Sequence, residues 1–268
     1  VCGTGSSKRS KLSSERVAAV LSVAIALLAG GCGVLPSRTW TGSAASEIVT
    51  HEVALEESLE SIADDYYGDP EAAAYLARVN GLRADEGLTP GDRLEVPVTG
   101  EDVARHERRT EAKLYYNRGT LFAERGDLPK AAEEFRKALR VDPRFADAGY
   151  NLGVVLLLEG EPRRAVAIFE QAAGVRPEDA SILYGLGKAY LDDGRVADGL
   201  ATFDRALAVD PDHEDALFAR AVSLLRLGRR EDAVVALDSY VRRFPSGAWA
   251  EEARGELKAI AREAEQDR

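Results

Sequence analysis

Pro143, Pro177, Pro211 and Pro245 recur every 34 residues, and Gly126, Gly160, Gly194 and Gly228 keep the same step 17 residues earlier. Such a period constrains the fold more than any composition does. A single repeated unit cannot bury its own apolar face, so stacked neighbours must supply the core. The glycine suits the left-handed end of a first helix, and the proline stops a second. Each unit is therefore expected to be a helix pair, in four copies at 112–145, 146–179, 180–213 and 214–247.

Within the units, small and large residues alternate at fixed places. The first reads Tyr115, Gly119, Phe122, Ala131, Phe135, Ala138 and Pro143; the second Leu152, Gly153, Leu156, Ala165, Phe169, Ala172 and Pro177. The third has Leu183, Leu186, Gly187, Tyr190, Phe203, Ala206 and Pro211, with Gly199 in place of an alanine. The fourth keeps Leu217, Ala221, Leu224, Ala233, Leu237 and Pro245, but Tyr240 stands where a small residue is expected. This pattern resembles the tetratricopeptide repeat (TPR). The resemblance implies an α-solenoid whose first (A) helices line a groove. That groove would carry Tyr116, Tyr150, Val154, Leu157, Tyr184, Lys188, Phe218, Val222 and Leu225 and bind protein segments; the alternative is that its aromatic ladder is scaffold filler. The Lys/Asn clamp that takes acidic C-terminal peptides in some relatives is not reproduced, since Tyr116 and Thr120 occupy its places. Residues 248–268 follow as a capping helix, with Trp249, Ala253, Leu257, Ile260 and Ala264 on one stripe and charges opposite.

The other end of the chain reads differently. Lys8, Arg9, Lys11 and Arg16 precede a short apolar run at 17–29, which is shorter than the ~20 residues a membrane span needs. The run ends in Leu28-Ala29-Gly30-Gly31-Cys32, which resembles a lipoprotein signal with its cleavage box, although the usual leucine is displaced by one residue. The expectation is a signal peptide at 1–31, acylation of Cys32 and a flexible tether at 32–47, with an ordinary signal peptide as the alternative. Gly33 in place of Asp favours delivery to the outer membrane, facing the periplasm.

Between tether and repeats, residues 48–98 read as strand (Ile48–Leu55), helix, helix, strand, and 99–111 as a linker. Ser58 is expected to cap the first helix and Asp69-Pro70 to start the second, which Asn80-Gly81 stops. His51-Glu52-Val53, Ser58-Leu59-x-x-Ile62-Ala63, Tyr67-Gly68-Asp69, Asn80-Gly81-Leu82 and Pro90-Gly91-Asp92-Arg93-Leu94-Glu95-Val96-Pro97 resemble a LysM domain. That resemblance implies a shallow groove for N-acetylglucosamine chains of peptidoglycan, formed here by Glu56, Glu57, Ser58 and Leu59 with Leu88, Thr89, Pro90 and Gly91. Where the family usually has Gly-Asp, this chain has Glu56-Glu57. Glutamate resists the left-handed backbone that glycine accepts. The acidic pair is expected to be solvated loop rather than a glycosidase pair, which needs carboxyls about 5–10 Å apart across a sugar bond.

The fold class expected is mainly α: a four-repeat TPR α-solenoid with a capping helix, preceded by a small α+β (βααβ) LysM-like domain. A net charge of −11 without a concentrated basic patch argues against nucleic-acid binding. Three histidines and two cysteines, without Cys-x-x-Cys or His-x-x-x-His spacing, give no expected metal site, cofactor or catalytic set. His106 and His213 are expected on solvated surface. The combined reading is a non-enzymatic envelope lipoprotein with three kinds of contact: lipid anchor to membrane, LysM-like unit to peptidoglycan, and groove to other envelope proteins. Two alternatives are a pilotin-like assembly factor for a secretion or pilus pore, and an undetected glycan hydrolase.

Overall fold

The structure, a computed structural model, describes residues 47–83 and 87–266. The expected signal segment, Cys32 and the tether up to residue 46 lie outside the described residues. Two compact units meet in sequence between Glu107 and Arg108.

The first unit contains β1 (Glu47–Glu52), α1 (Leu59–Tyr67), a single 3-10 turn (Pro70–Ala72), α2 (Ala73–Asn80) and β2 (Arg93–Val98). The strands pair antiparallel from Glu47 opposite Val98 to Glu52 opposite Arg93. Leu59, Ile62, Ala63, Leu76, Leu94, Val96 and Val98 form the core beneath them. A reciprocal capping box starts α1: the Ser58 hydroxyl accepts from Ser61 N at 3.2 Å, and the Ser61 hydroxyl accepts from Ser58 N at 2.9 Å. Asn80 does more than stop α2. Its amide donates to the Leu76 and Glu95 carbonyls and accepts from Glu95 N at 2.7 Å, tying the helix end to β2. Two expectations are corrected here. The first strand does not run on to Leu55, because the chain turns at Ala54–Glu57 and leaves Leu55 exposed. The second helix does not begin at Pro70, where Asp69 caps a 3-10 turn instead.

The second unit is a run of helices. α3 (Gly100–Glu124) crosses the sequence boundary between units, followed by α4 (Leu128–Val141), α5 (Ala146–Leu158), α6 (Pro162–Val175), α7 (Ala180–Asp192) and α8 (Val196–Val209). After these come α9 (Glu214–Arg226), α10 (Arg230–Arg243) and α11 (Ala250–Gln266). From α4 onward each helix packs on the next, and the A helices α5, α7 and α9 also touch in succession. Gly126, Gly160, Gly194 and Gly228 all sit at φ between +72° and +81°, the left-handed turn that closes each A helix.

Residues 99–111, expected as a linker, are helical from Gly100 onward. A local signal accounts for this: Thr99 and Asp102 cap the helix start, with Thr99 N donating to Asp102 Oδ2 at 2.8 Å and Asp102 N to the Thr99 hydroxyl at 3.3 Å.

The repeats interlock by size. A β-carbon placed on Gly119, Gly153 or Gly187 would stand 2.5–2.6 Å from the ring of Phe135, Phe169 or Phe203 respectively. These phenylalanines are at most 1% exposed. In the last repeat the pair is Ala221 with Leu237, a larger residue facing a smaller one, and both are fully buried.

Candidate functional site

The loops assigned to glycan binding are brought together by the backbone. Val53 N donates to Asp92 O and Gly91 N to Val53 O, each at 2.8 Å. Thr89, Pro90 and Gly91 are exposed beside the turn that carries Glu56 and Glu57. Leu59 is corrected: at 2% exposure it belongs to the core rather than to a surface groove. Leu88 is half-buried and packs on the same core, while Ser58 is engaged in the α1 cap.

Glu56 takes the left-handed backbone that glycine would supply, at φ +66°, the one non-glycine residue with positive φ among the described residues. Left-handed backbone costs an L-residue about 1–2 kcal/mol. Glu56→Gly should therefore stabilise this unit by about 0.5–1 kcal/mol after the extra freedom of glycine in the unfolded chain is deducted. Hydrogen exchange of amides within residues 47–98 of the full chain would read this gain. Glu56→Ala, which keeps a β-carbon, is the control and should give none; equal protection in both variants would remove the strain argument.

Glu57 is not solvated loop, which corrects the reading of the acidic pair. Its Oε2 accepts from Ala54 N at 2.7 Å and from His51 Nε2 at 2.8 Å. With that tautomer the Tyr66 hydroxyl donates to His51 Nδ1 at 3.4 Å, and the Tyr66 ring stacks on His106 with centroids 4.0 Å apart. His106 is thus part of a ring cluster rather than solvated surface. Burial, then Asp65 and Glu57, pushes the Tyr66 hydroxyl pKa up. This polar cluster fixes the loop that carries Glu56; sequence spacing gave no sign of it.

The residues expected to line a groove all lie on A helices. Tyr116, Tyr150, Val154, Leu157, Tyr184, Lys188, Phe218, Val222 and Leu225 are all half-buried. The tyrosines rest against the interlocked phenylalanines: Tyr116 lies 5.9 Å from Phe135, Tyr150 6.0 Å from Phe169 and Tyr184 6.0 Å from Phe203, centroid to centroid. Each ring therefore serves the scaffold with one face and leaves part of its surface to solvent. Tyr116 also bridges repeats, its hydroxyl accepting from the Asn151 amide at 3.2 Å. Phe218 is partly covered, because Trp249 stacks on it with centroids 5.1 Å apart and planes 2° from parallel. His213 is no free surface group either: its Nδ1 accepts from Ala216 N at 3.3 Å and caps α9, and its ring lies 5.1 Å from Tyr184.

Apart from Lys188, the charges on this face escaped the sequence reading. Arg176 forks onto Asp147 at 2.7 and 2.9 Å, and Lys188 pairs with Asp192 on the same helix. Asp179 caps α7, and Asp215 Oδ1 accepts from the Trp249 indole at 2.6 Å. Burial first, and then the Asp215 charge, pushes the Tyr184 hydroxyl pKa up to about 12. Tyr150 is raised by burial, Asp179 and Asp215. Asp147, Ser181 and Asp215 share one place in the 34-residue step but differ in type, so repetition could not flag them.

Comparison with known proteins bears on the helical unit. Residues 119–160 match a family described as TPR repeat, and residues 159–207 and 184–248 match one described as tetratricopeptide repeat. No curated protein matches the chain. Among solved structures, MamA from Desulfovibrio magneticus is 26% identical over 55% of this chain and 83% of that one, with a TM-score of 0.49. PilF of Pseudomonas aeruginosa is 22% identical, covering 59% of this chain and 72% of that one at a TM-score of 0.52. A tetratricopeptide repeat protein from Parabacteroides merdae is 20% identical, covering 57% and 60% at 0.51. At such identity the last two likenesses speak to fold. Together with the helix pairs, their left-handed glycines and their interlocked rings, the two family matches establish residues 119–248 as tetratricopeptide repeats.

Proposed function

We propose that the chain is a non-enzymatic scaffold of the bacterial cell envelope. It is anchored in a membrane through Cys32, touches peptidoglycan through its N-terminal βααβ unit, and holds a protein partner along the A-helix face. The observation that carries this reading is the run of half-exposed Tyr116, Tyr150, Val154, Leu157 and Tyr184 over a core already closed by Phe135, Phe169 and Phe203. Apolar surface gathered on one face of a soluble unit is the usual mark of a binding surface. A partner helix or extended apolar strand fits such a floor. The adjoining loops around Glu56 and Thr89–Gly91 support the glycan contact, with Glu56 now the residue that limits it. A pilotin-like assembly factor would use the same groove and differ in the partner held.

The test is crosslinking in membranes with the full chain and with a Tyr150→Ala/Tyr184→Ala variant. Losing two half-buried rings should cost about 1–2 kcal/mol each, so melting is followed in parallel. A folded variant that no longer captures the partner supports recognition. Undiminished capture would move the binding surface elsewhere, and recovery of a pore subunit would favour the assembly-factor reading. In the same preparation Cys32→Ala should leave the membrane fraction, and full-length protein should sediment with purified peptidoglycan more strongly as Glu56→Gly. Protein that stays in the membrane without Cys32, or neither form sedimenting, would remove the corresponding contact.

A further inference from the structure

The charge pattern of the groove narrows what kind of segment can lie in it. Every cation on the central face is answered from within: Arg176 by Asp147, with Asp179 at 3.7 Å, and Lys188 by Asp192. Asp215 differs. Among the described residues its carboxylate receives one hydrogen bond from a neutral donor, the Trp249 indole, and no cation. It stands in the first turn of α9, one turn before Phe218, whose ring is stacked under Trp249. The hydroxyls of Tyr150 and Tyr184, on the two preceding A helices, both sense its charge. Asp215 is thus a carboxylate bonded to the Trp249 indole and facing no cation among the described residues, on the same A-helix face as Tyr150, Tyr184 and Phe218.

We propose that Asp215 anchors a lysine or arginine side chain of the partner segment, which lies along Tyr150, Tyr184, Phe218 and Trp249. This rests on the reading of the groove as a protein-binding face. The chemistry is matched on both parts of such a side chain: the carboxylate meets the charged head, and the rings take the aliphatic stem and the face of the cation. An acidic segment would instead bring its carboxylates against Asp215 and Asp179, in a chain whose net charge is already −11.

The test selects displayed random peptides on the full-length protein, then measures the best binders by the fluorescence of Trp249. The chain has two tryptophans, so the measurement uses a Trp40→Phe background. The expected binders combine apolar positions with one recurrent Lys or Arg. Changing that residue to Gln should weaken binding to the native groove about tenfold and leave binding to Asp215→Asn unchanged. Asparagine keeps an acceptor for the indole N–H, so the cap stays seated; unchanged helical melting verifies this. Basic peptides that bind Asp215→Asn as tightly as the native protein would overturn the proposal. So would binders that lack a basic position yet weaken with Tyr150→Ala, in which case the groove reading survives alone. Binders indifferent to Tyr150→Ala, or no binders at all, would remove both.

Discussion

Gly153→Ala should destabilise the repeat array by about 1–3 kcal/mol, although alanine is the better helix former. The helix-propensity gain is about 1 kcal/mol. Against it stands a β-carbon only 2.6–2.8 Å from three ring atoms of Phe169. The ring cannot swing away, because it is fully buried and its edge already lies where a β-carbon on Gly185 would be 2.5 Å off. Overpacking therefore exceeds propensity. If the cause is steric, Phe169→Leu should rescue Gly153→Ala, since the last repeat already joins Ala221 to Leu237 in this arrangement. A double-mutant cycle from denaturant unfolding should show a coupling of about 1–3 kcal/mol. A more stable Gly153→Ala, or additive single effects, would mean that glycine is there for another reason.

Much of this was legible in the sequence because repetition samples the same physics four times. The prolines, the left-handed glycines, the paired Gly and Phe and the A-helix rings each recur at a fixed step, so one reading is checked by the next. What occurs once was harder to see. Thr99–Asp102 is an ordinary capping box, but Gly100 beside it reads as a break. Glu57 looks like half of a charged loop, and only the fold brings His51 and the Ala54 amide to it. Asp215 sits at a place in the repeat where residue type varies, and its neighbour Trp249 comes from the capping segment, 34 residues away. Local signals and periodic ones were readable; single polar contacts made across the fold were not.

Tyr240→Ala should be the most damaging single change at the end of the array, costing about 3–5 kcal/mol by analogy with other buried aromatic truncations. Ala138, Ala172 and Ala206 hold this place in the earlier repeats, where a following A helix must come close. After the fourth repeat comes α11 instead, and the ring fills that space at 1% exposure. Its hydroxyl donates to Glu214 Oε1 at 2.6 Å and accepts from Trp249 N at 3.0 Å, while Ala248 N shares the same carboxylate oxygen at 2.6 Å. The irregular residue is thus the seat of the capping helix. Tyr240→Phe keeps the ring but loses a hydrogen bond to a charged group, worth about 1.5–3 kcal/mol. The two variants also separate in pH. Burial, and then the bond to Glu214, pushes the Tyr240 pKa from 10.0 up to about 12, so the folded state holds the proton that the unfolded chain releases. The hydroxyl's stabilisation is complete below pH 10 and is lost as pH rises from there through about 12. Tyr184 titrates in the same window by the same sign. Native protein should therefore lose stability steeply above pH 10, and Tyr240→Phe, already weaker at neutral pH, should lose less of what remains. Thermal melting at neutral pH and between about pH 10 and 11 measures both effects. An alkaline loss in Tyr240→Phe equal to that of the native chain would show that this hydroxyl is not what holds the cap in place.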